Sequence, residues 1–180
     1  MKKSVLLVIV ALALCVCAFV GNTVAWLMGR AEVNNTFIAG DIAISLTETT
    51  GNSYPLLPGT TVAKDPKVTV YAGSEACWLF VKMEKSNDLD TYISYTIADG
   101  WTALADGVYY RRQDAVTAGV TYSFLQNDQI TVKESLAEDQ TEALKASGAY
   151  PAMKLTAYAI QQSGIATVEE AWAYATQRAS

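Results

Sequence analysis

The chain has 180 residues, the size of one ordinary domain with a sizeable core. Its 13 basic and 18 acidic residues give a net charge of −5, which argues against holding nucleic-acid phosphates by charge. Histidine is absent, which removes the Ser-His-Asp and Cys-His arrangements and the HExxH zinc motif together.

The chain opens with Lys2-Lys3, an uninterrupted apolar run from Val5 to Val20, and then Gly21-Asn22-Thr23-Val24-Ala25-Trp26. This is the build of a secretory signal peptide, with Thr23 and Ala25 at the minus-three and minus-one positions of a peptidase site and Trp26 opening the mature chain. The run nears the roughly 18 residues that a membrane span needs, so an uncleaved anchor is the competing reading. Small residues close the run and no basic stop-transfer cluster follows, which favours cleavage by a signal peptidase. The expected division is a signal peptide over 1–25, an N-terminal extension over 26–35 and a β-sandwich domain over 36–180. Removing 25 of the 180 residues leaves 155, and losing Lys2 and Lys3 leaves 11 basic against 18 acidic residues, a net charge of −7. The mature chain is expected to be exported and not membrane-spanning.

Leu14 precedes Cys15 and Val16 precedes Cys17, so the small residue required for lipoprotein processing is missing. Both cysteines leave with the signal, and Cys77 alone cannot form an intramolecular disulfide. Flanked by Ala76 and Trp78-Leu79-Phe80-Val81, it reads as a small buried hydrophobe rather than a reactive thiol.

Beyond the signal the pattern is β-rich. Ile38, Ile42, Ile44 and Leu46 share one face of a period-two pattern, with Asp41, Ser45 and Thr47 on the other. Val68 and Val70 alternate with Thr69 and Tyr71, and the apolar run from Ala76 to Met83 predicts a central strand with Lys82 and Glu84 marking its solvent side. Pro55, Pro58-Gly59 and Asp65-Pro66 punctuate the loops between them. Asp99-Gly100 and Asp106-Gly107 suit tight turns, and with Ile93, Tyr95 and Ile97 before the first and Val108 to Tyr110 after the second they predict a short meander. Ile130 and Val132 continue the strand pattern, and Met153, Leu155, Ala157 and Ala159 alternate with Lys154, Thr156, Tyr158 and Ile160 in a late strand.

Two capping boxes predict helices, at Ser135-Leu136-Ala137-Glu138 and at Thr167-Val168-Glu169-Glu170, the first ending at Gly148. In the second, Val168, Ala171, Trp172 and Ala175 make one apolar stripe, and Trp172 is expected to pack on the sheet. Together these elements predict an all-β sandwich with one or two accessory helices.

Carboxylates are plentiful, among them Asp88, Asp90, Asp99 and Asp106, but their spacing matches neither an EF-hand loop nor an aspartic-protease signature. No glycine-rich phosphate loop and no basic-aromatic interleaving is present. No catalytic residue, cofactor site or metal site is therefore assigned, and the chain is not read as an enzyme.

The segment Gly21-Asn22-Thr23-Val24-Ala25-Trp26-Leu27 resembles the signal region processed by the SipW-type signal peptidase of Gram-positive bacteria. Asn35-Thr36-Phe37-Ile38-Ala39-Gly40-Asp41-Ile42 is similar to the opening of the TasA/camelysin (CalY) family. The likeness continues through Pro58-Gly59, Lys64-Asp65-Pro66-Lys67-Val68-Thr69-Val70 and the stretch from Gly73 to Lys82, and reappears at Gly100-Trp101 and Ala171-Trp172. The resemblance implies a jelly-roll-like antiparallel β-sandwich, exported and assembled as a fibre or surface component of the extracellular matrix. It also implies β-strand addition, in which the segment after the cleavage site completes a sheet of the next subunit. The candidate donor runs from Trp26 to about Phe37, with Trp26, Leu27, Met28, Val33 and Phe37 as groove-filling residues, each contributing about 1.5–3 kcal/mol when fully buried.

Three function classes follow in rank order. The first is a self-associating fibre subunit, and the second a monomeric surface or adhesive module using exposed Trp101, Tyr109 and Tyr110. The last is a camelysin-like metallopeptidase, for which a chain without histidine offers zinc only carboxylates and Cys77.

Overall fold

A computed structural model describes residues 26–28, 42–50, 53–86 and 88–178. Two antiparallel layers face one another. In the first, β4 (Thr61–Ala63) and β5 (Lys67–Val70) follow each other along β11 (Gln129–Val132) and β10 (Val120–Ser123). The irregular joint between them stays hydrogen-bonded, through Phe124 N–H to Pro66 O at 2.9 Å and Lys64 N–H to Asp128 O at 2.8 Å. The strand β2 (Ile44–Thr47) pairs with the free side of β5, and β7 (Ile93–Ser94) with the free side of β11. The facing layer has the order β12 (Met153–Gln161), β6 (Cys77–Lys85), β9 (Val108–Gln113), β8 (Thr102–Ala105). The chain changes layer from β5 to β6, from β6 to β7, from β7 to β8, from β9 to β10 and from β11 to β12. That alternation makes the fold a jelly-roll-like antiparallel β-sandwich.

Period-two patterning builds the core. Val68 and Val70 of β5 and Leu79 and Val81 of β6 are fully buried between the layers with Phe124, Leu125 and Val132. Ile42, Ile44 and Leu46 share the buried face expected for the first long strand, while Ile38 lies outside the described residues. Cys77 is also fully buried, and burial pushes its thiol up to about 12, so it stays protonated and shielded in the native fold.

The late strand departs from simple alternation because both of its faces are covered. Tyr158 and Ile160, expected on the polar side, are buried in a second cluster with Phe80. The cover is α3 (Val168–Arg178), whose Ala171 and Ala175 are buried against the sheet and whose Trp172 ring lies 5.2 Å from Phe80 and 5.5 Å from Tyr158. Half of the expected box forms: Glu170 N–H donates to Thr167 Oγ1 at 3.2 Å, while the Glu170 carboxylate accepts from Ala166 N–H at 3.2 Å, one residue before the cap. Trp172 is thus a packing residue.

Three local expectations need correction. The helix expected to cap at Ser135 begins later, as α2 (Glu138–Ser147) with Ala137 at the cap, where Gln140 Oε1 accepts from Ala137 N–H at 3.0 Å. A turn closed by Leu136 N–H to Lys133 O at 3.2 Å comes first, because it buries Leu136. Gly148 ends the helix with φ 65°, as its sequence position predicts. A one-turn helix, α1 (Leu89–Tyr92), precedes β7 and has no counterpart in the sequence reading. The meander is also broken: β7 pairs with β11 in one layer while β8 and β9 pair in the other, so the Asp99-Gly100 turn changes layers instead of closing a hairpin. Buried Ile93 belongs to the inter-layer core, and β11 offers it the pairing edge.

The Asp106-Gly107 turn does close the β8–β9 hairpin, and Gly107 is required there twice over. Its φ is 67°, and a Cβ would stand 2.4 Å from the Met83 carbonyl oxygen. Gly164 has φ 81° but open space around it. Gly164→Ala should therefore lose only the left-handed backbone penalty, about 1–2 kcal/mol. Gly107→Ala should lose clearly more in urea unfolding, and equal losses would contradict the clash.

Candidate functional site

The residues expected to link subunits fall on a small structure beside the sandwich. Trp26–Met28 form β1, which pairs antiparallel with β3 (Ser53–Pro55) in the register Trp26↔Pro55, Leu27↔Tyr54, Met28↔Ser53. Among the described residues this two-stranded sheet joins neither layer. Thr23 and Ala25 of the expected cleavage site, and Val33 and Phe37 of the expected donor, lie outside the described residues.

The strand β3 is the seat for β1, and it is fixed to the sandwich from beneath. Tyr54 and the following Leu56 are buried in the main core. The Tyr54 hydroxyl donates to the Glu48 carboxylate just after β2 and lies 3.2 Å from Thr50 Oγ1. Glu48 Oε1 also receives Lys64 Nζ at 2.8 Å, with the two side chains 5% and 2% exposed. The same ammonium stands 5.2 Å from the Tyr54 ring centroid. One buried ion pair thus ties the end of β2, the middle of β3 and the β4–β5 joint.

A second carboxylate completes the joint. Asp65 accepts from Thr49 N–H at 2.8 Å, Thr49 Oγ1 at 2.6 Å, Thr50 N–H at 3.0 Å and Thr50 Oγ1 at 2.9 Å. Lys67 bridges outward, 3.7 Å from Asp65 and 3.1 Å from Asp128. Burial alone would push the Asp65 carboxyl up, but the hydrogen bonds led by the Thr49 hydroxyl outweigh it and hold the group well below the usual carboxylate range. Burial, reinforced by the bond to Glu48, raises the Tyr54 phenol, so Tyr54 remains a donor. In the sequence Asp65-Pro66 is loop punctuation and Lys64-Asp65 part of the family resemblance, and neither they nor Glu48 and Tyr54 are given a structural role there. The usable signal was two charges, Lys64-Asp65, set directly against a strand whose alternate residues are apolar.

The aromatics expected to be exposed are packing residues. Trp101 is only 9% exposed, donates Nε1–H to Ser123 O at 2.9 Å and sits edge-on to Phe124 at 5.6 Å. Tyr109 packs on the same Phe124 at 5.5 Å, and half-buried Tyr110 on Trp78 at 6.0 Å. Among the described residues, no group of three His, Cys, Asp or Glu side chains could hold a metal ion, and no helix is long and apolar enough to cross a membrane.

Lys64→Met should cost about 3–5 kcal/mol in urea unfolding, because it strands a buried carboxylate, and pairing it with Glu48→Leu should recover part of the loss. Asp65 has a folded pKa below its unfolded value, so its stabilisation is fully present above about pH 4 and fades as pH falls toward the folded value. Asp65→Asn should therefore be least stable relative to the parent at neutral pH, with the gap narrowing in strong acid; a gap independent of pH would contradict this. No family model matches the chain, and no curated protein or solved structure matches it either.

Proposed function

We propose that this chain is an exported structural subunit of an extracellular matrix or cell-surface fibre, of the TasA/camelysin kind. Its leader is removed by a signal peptidase, and the freed segment beginning at Trp26 then links one copy to the next. The observation that carries this reading is the β1–β3 pair: the segment after the expected cleavage site pairs as a strand, and among the described residues with β3 alone. An isolated two-stranded pair is marginal in water. Its main-chain bonds are the same whether β1 comes from its own chain or from a second copy, so exchange between copies sacrifices no pairing. Trp101 is buried and Tyr109 and Tyr110 are half-buried against neighbouring rings, which weakens the monomeric adhesive reading.

The role is structural, and polymerisation is its readout. The chain starting at Trp26 should form filaments by electron microscopy and elute as polymer in size exclusion, whereas a chain starting at Thr36 should stay monomeric. Leu27→Pro removes one main-chain donor from β1 and should suppress filaments while shifting the melting temperature by no more than about 3 °C. If the chain from Trp26 stays monomeric across salt, pH and concentration, the fibre reading is wrong.

A further inference from the structure

The outward face of the β2–β5–β10 and β4–β11–β7 layer is dressed with hydroxyls. Thr69 and Thr121 meet across strands at 2.8 Å, Thr61 and Thr131 at 3.3 Å, and the Tyr71 hydroxyl donates to Ser45 Oγ at 3.0 Å. Where β7 meets β11 this face opens into a cleft of about 150 Å³. Its walls carry the amides of Gln126, Asn127 and Gln129 and the hydroxyls of Ser94, Thr96 and Thr131. Tyr95 supplies its one ring, steadied by Lys85 Nζ at 5.7 Å from the centroid.

The cleft exists because the ladder is interrupted. The backbone pairs Thr131 with Ser94 and Ile97 with Leu125, but between those points the chain leaves the strand in a tight turn over Gln126–Asp128. Asn127 and Asp128 both take left-handed φ, 56° and 52°, two consecutive non-glycine residues in a sparsely populated region. Asn and Asp are the residues that best tolerate this region, and Asp128 N–H to Leu125 O at 3.2 Å closes the turn.

We propose that this cleft is a binding site for neutral carbohydrate, taking a sugar ring of a polysaccharide laid along the hydroxyl-bearing sheet. The chemistry of the walls selects the ligand class. Among the described residues no charged side chain lines the cleft, and Lys85, beside Tyr95, and Asp128, beside Asn127, are each paired, with Asp90 at 2.6 Å and Lys67 at 3.1 Å. An anionic polymer would meet no cation among the described wall residues and a net-negative chain around them. An apolar peptide would find no aliphatic wall to bury against. A polyol matches, because each side-chain amide offers donor and acceptor side by side, as vicinal hydroxyls do. The site is independent of the fibre reading, since a chain starting at Thr36 retains every wall residue.

The test is affinity electrophoresis of the whole chain, in a detergent without a sugar headgroup, through gels containing dextran, a β-1,3-glucan or galactomannan, with polygalacturonate as the anionic control. At least one neutral polymer should retard the protein at least twofold, and polygalacturonate should not. Gln126→Ala combined with Gln129→Ala should weaken that retardation at least fivefold. Asn127→Gly, which suits the left-handed backbone and so keeps the fold, should also weaken it. No retardation by any neutral polymer, retardation by polygalacturonate alone, or retardation unchanged in both variants would each overturn the proposal.

Discussion

The buried Lys64–Glu48 ion pair is the constraint on which the rest of the structure depends. The long strand pair of the first layer must bend between β4 and β5, and a bend leaves main-chain groups without ladder partners. Asp65 takes up two backbone donors and two hydroxyls of Thr49 and Thr50, while Lys64 N–H and Phe124 N–H find carbonyls across the joint. A buried charge pair is weak evidence of net stability, because desolvating both ions offsets most of their attraction. Its value here is positional. Only one arrangement brings the ends of β2, β3 and the β4–β5 joint to the same carboxylate, so the pair fixes where β3 sits. With the sole described cysteine buried and protonated, no disulfide shares that task.

From that fixed joint the two outer faces of the sandwich diverge. Part of the outer face of β6 and β12 is covered by α3, which buries Phe80, Tyr158 and Ile160 in a second core with Trp172 packed against it, while Lys82 and Glu84 stay on the solvent side. The other outer face carries threonines and serines that satisfy one another across strands. A face whose hydroxyls are already paired has little drive to collapse onto apolar surface, yet each hydroxyl keeps a further acceptor lone pair for a polar ligand. The helix-covered face therefore supplies stability and the hydroxyl face recognition. The small β1–β3 sheet lies with neither.

How far this was legible in the sequence depends on the range of the interactions. Strands whose inward residues are consecutive alternates, such as Val68 and Val70 or the run through Leu79 and Val81, declare themselves locally, as do the left-handed turns at Gly100, Gly107 and Gly148. The Thr167 cap and the stripe through Trp172 were equally local signals. What escaped was set by partners distant in sequence. Ile93 follows β11 rather than β8 because of pairing 39 positions away, between Ile93 and Val132. Lys64 is buried because Glu48, 16 residues earlier, meets it. The cleft depends on a tight turn at Asn127 that no hydrophobic period marks. The donor segment was read from the signal that precedes it, and only its first three residues, Trp26–Met28, are placed.

The strength of β1–β3 pairing does not decide between a closed subunit and a fibre, because the same three residue pairs form in either case. The difference lies in chain entropy and reach. Fifteen residues, 29–43, separate β1 from β2, and at about 3.4 Å per extended residue they could reach roughly 50 Å. A reach of that order does not by itself confine β1 to its own β3. Closure within one chain is favoured by a high effective concentration of β1 near its own seat, which a linker of this length sets in the millimolar range or below. Exchange wins only when copies are crowded, or when an intact leader has kept β1 away from the seat until cleavage. In the proposed fibre, export would supply both conditions together, local crowding at the cell surface and release of the donor there, and the seat built on Glu48, Tyr54 and Lys64 would let either partner dock on the same strand.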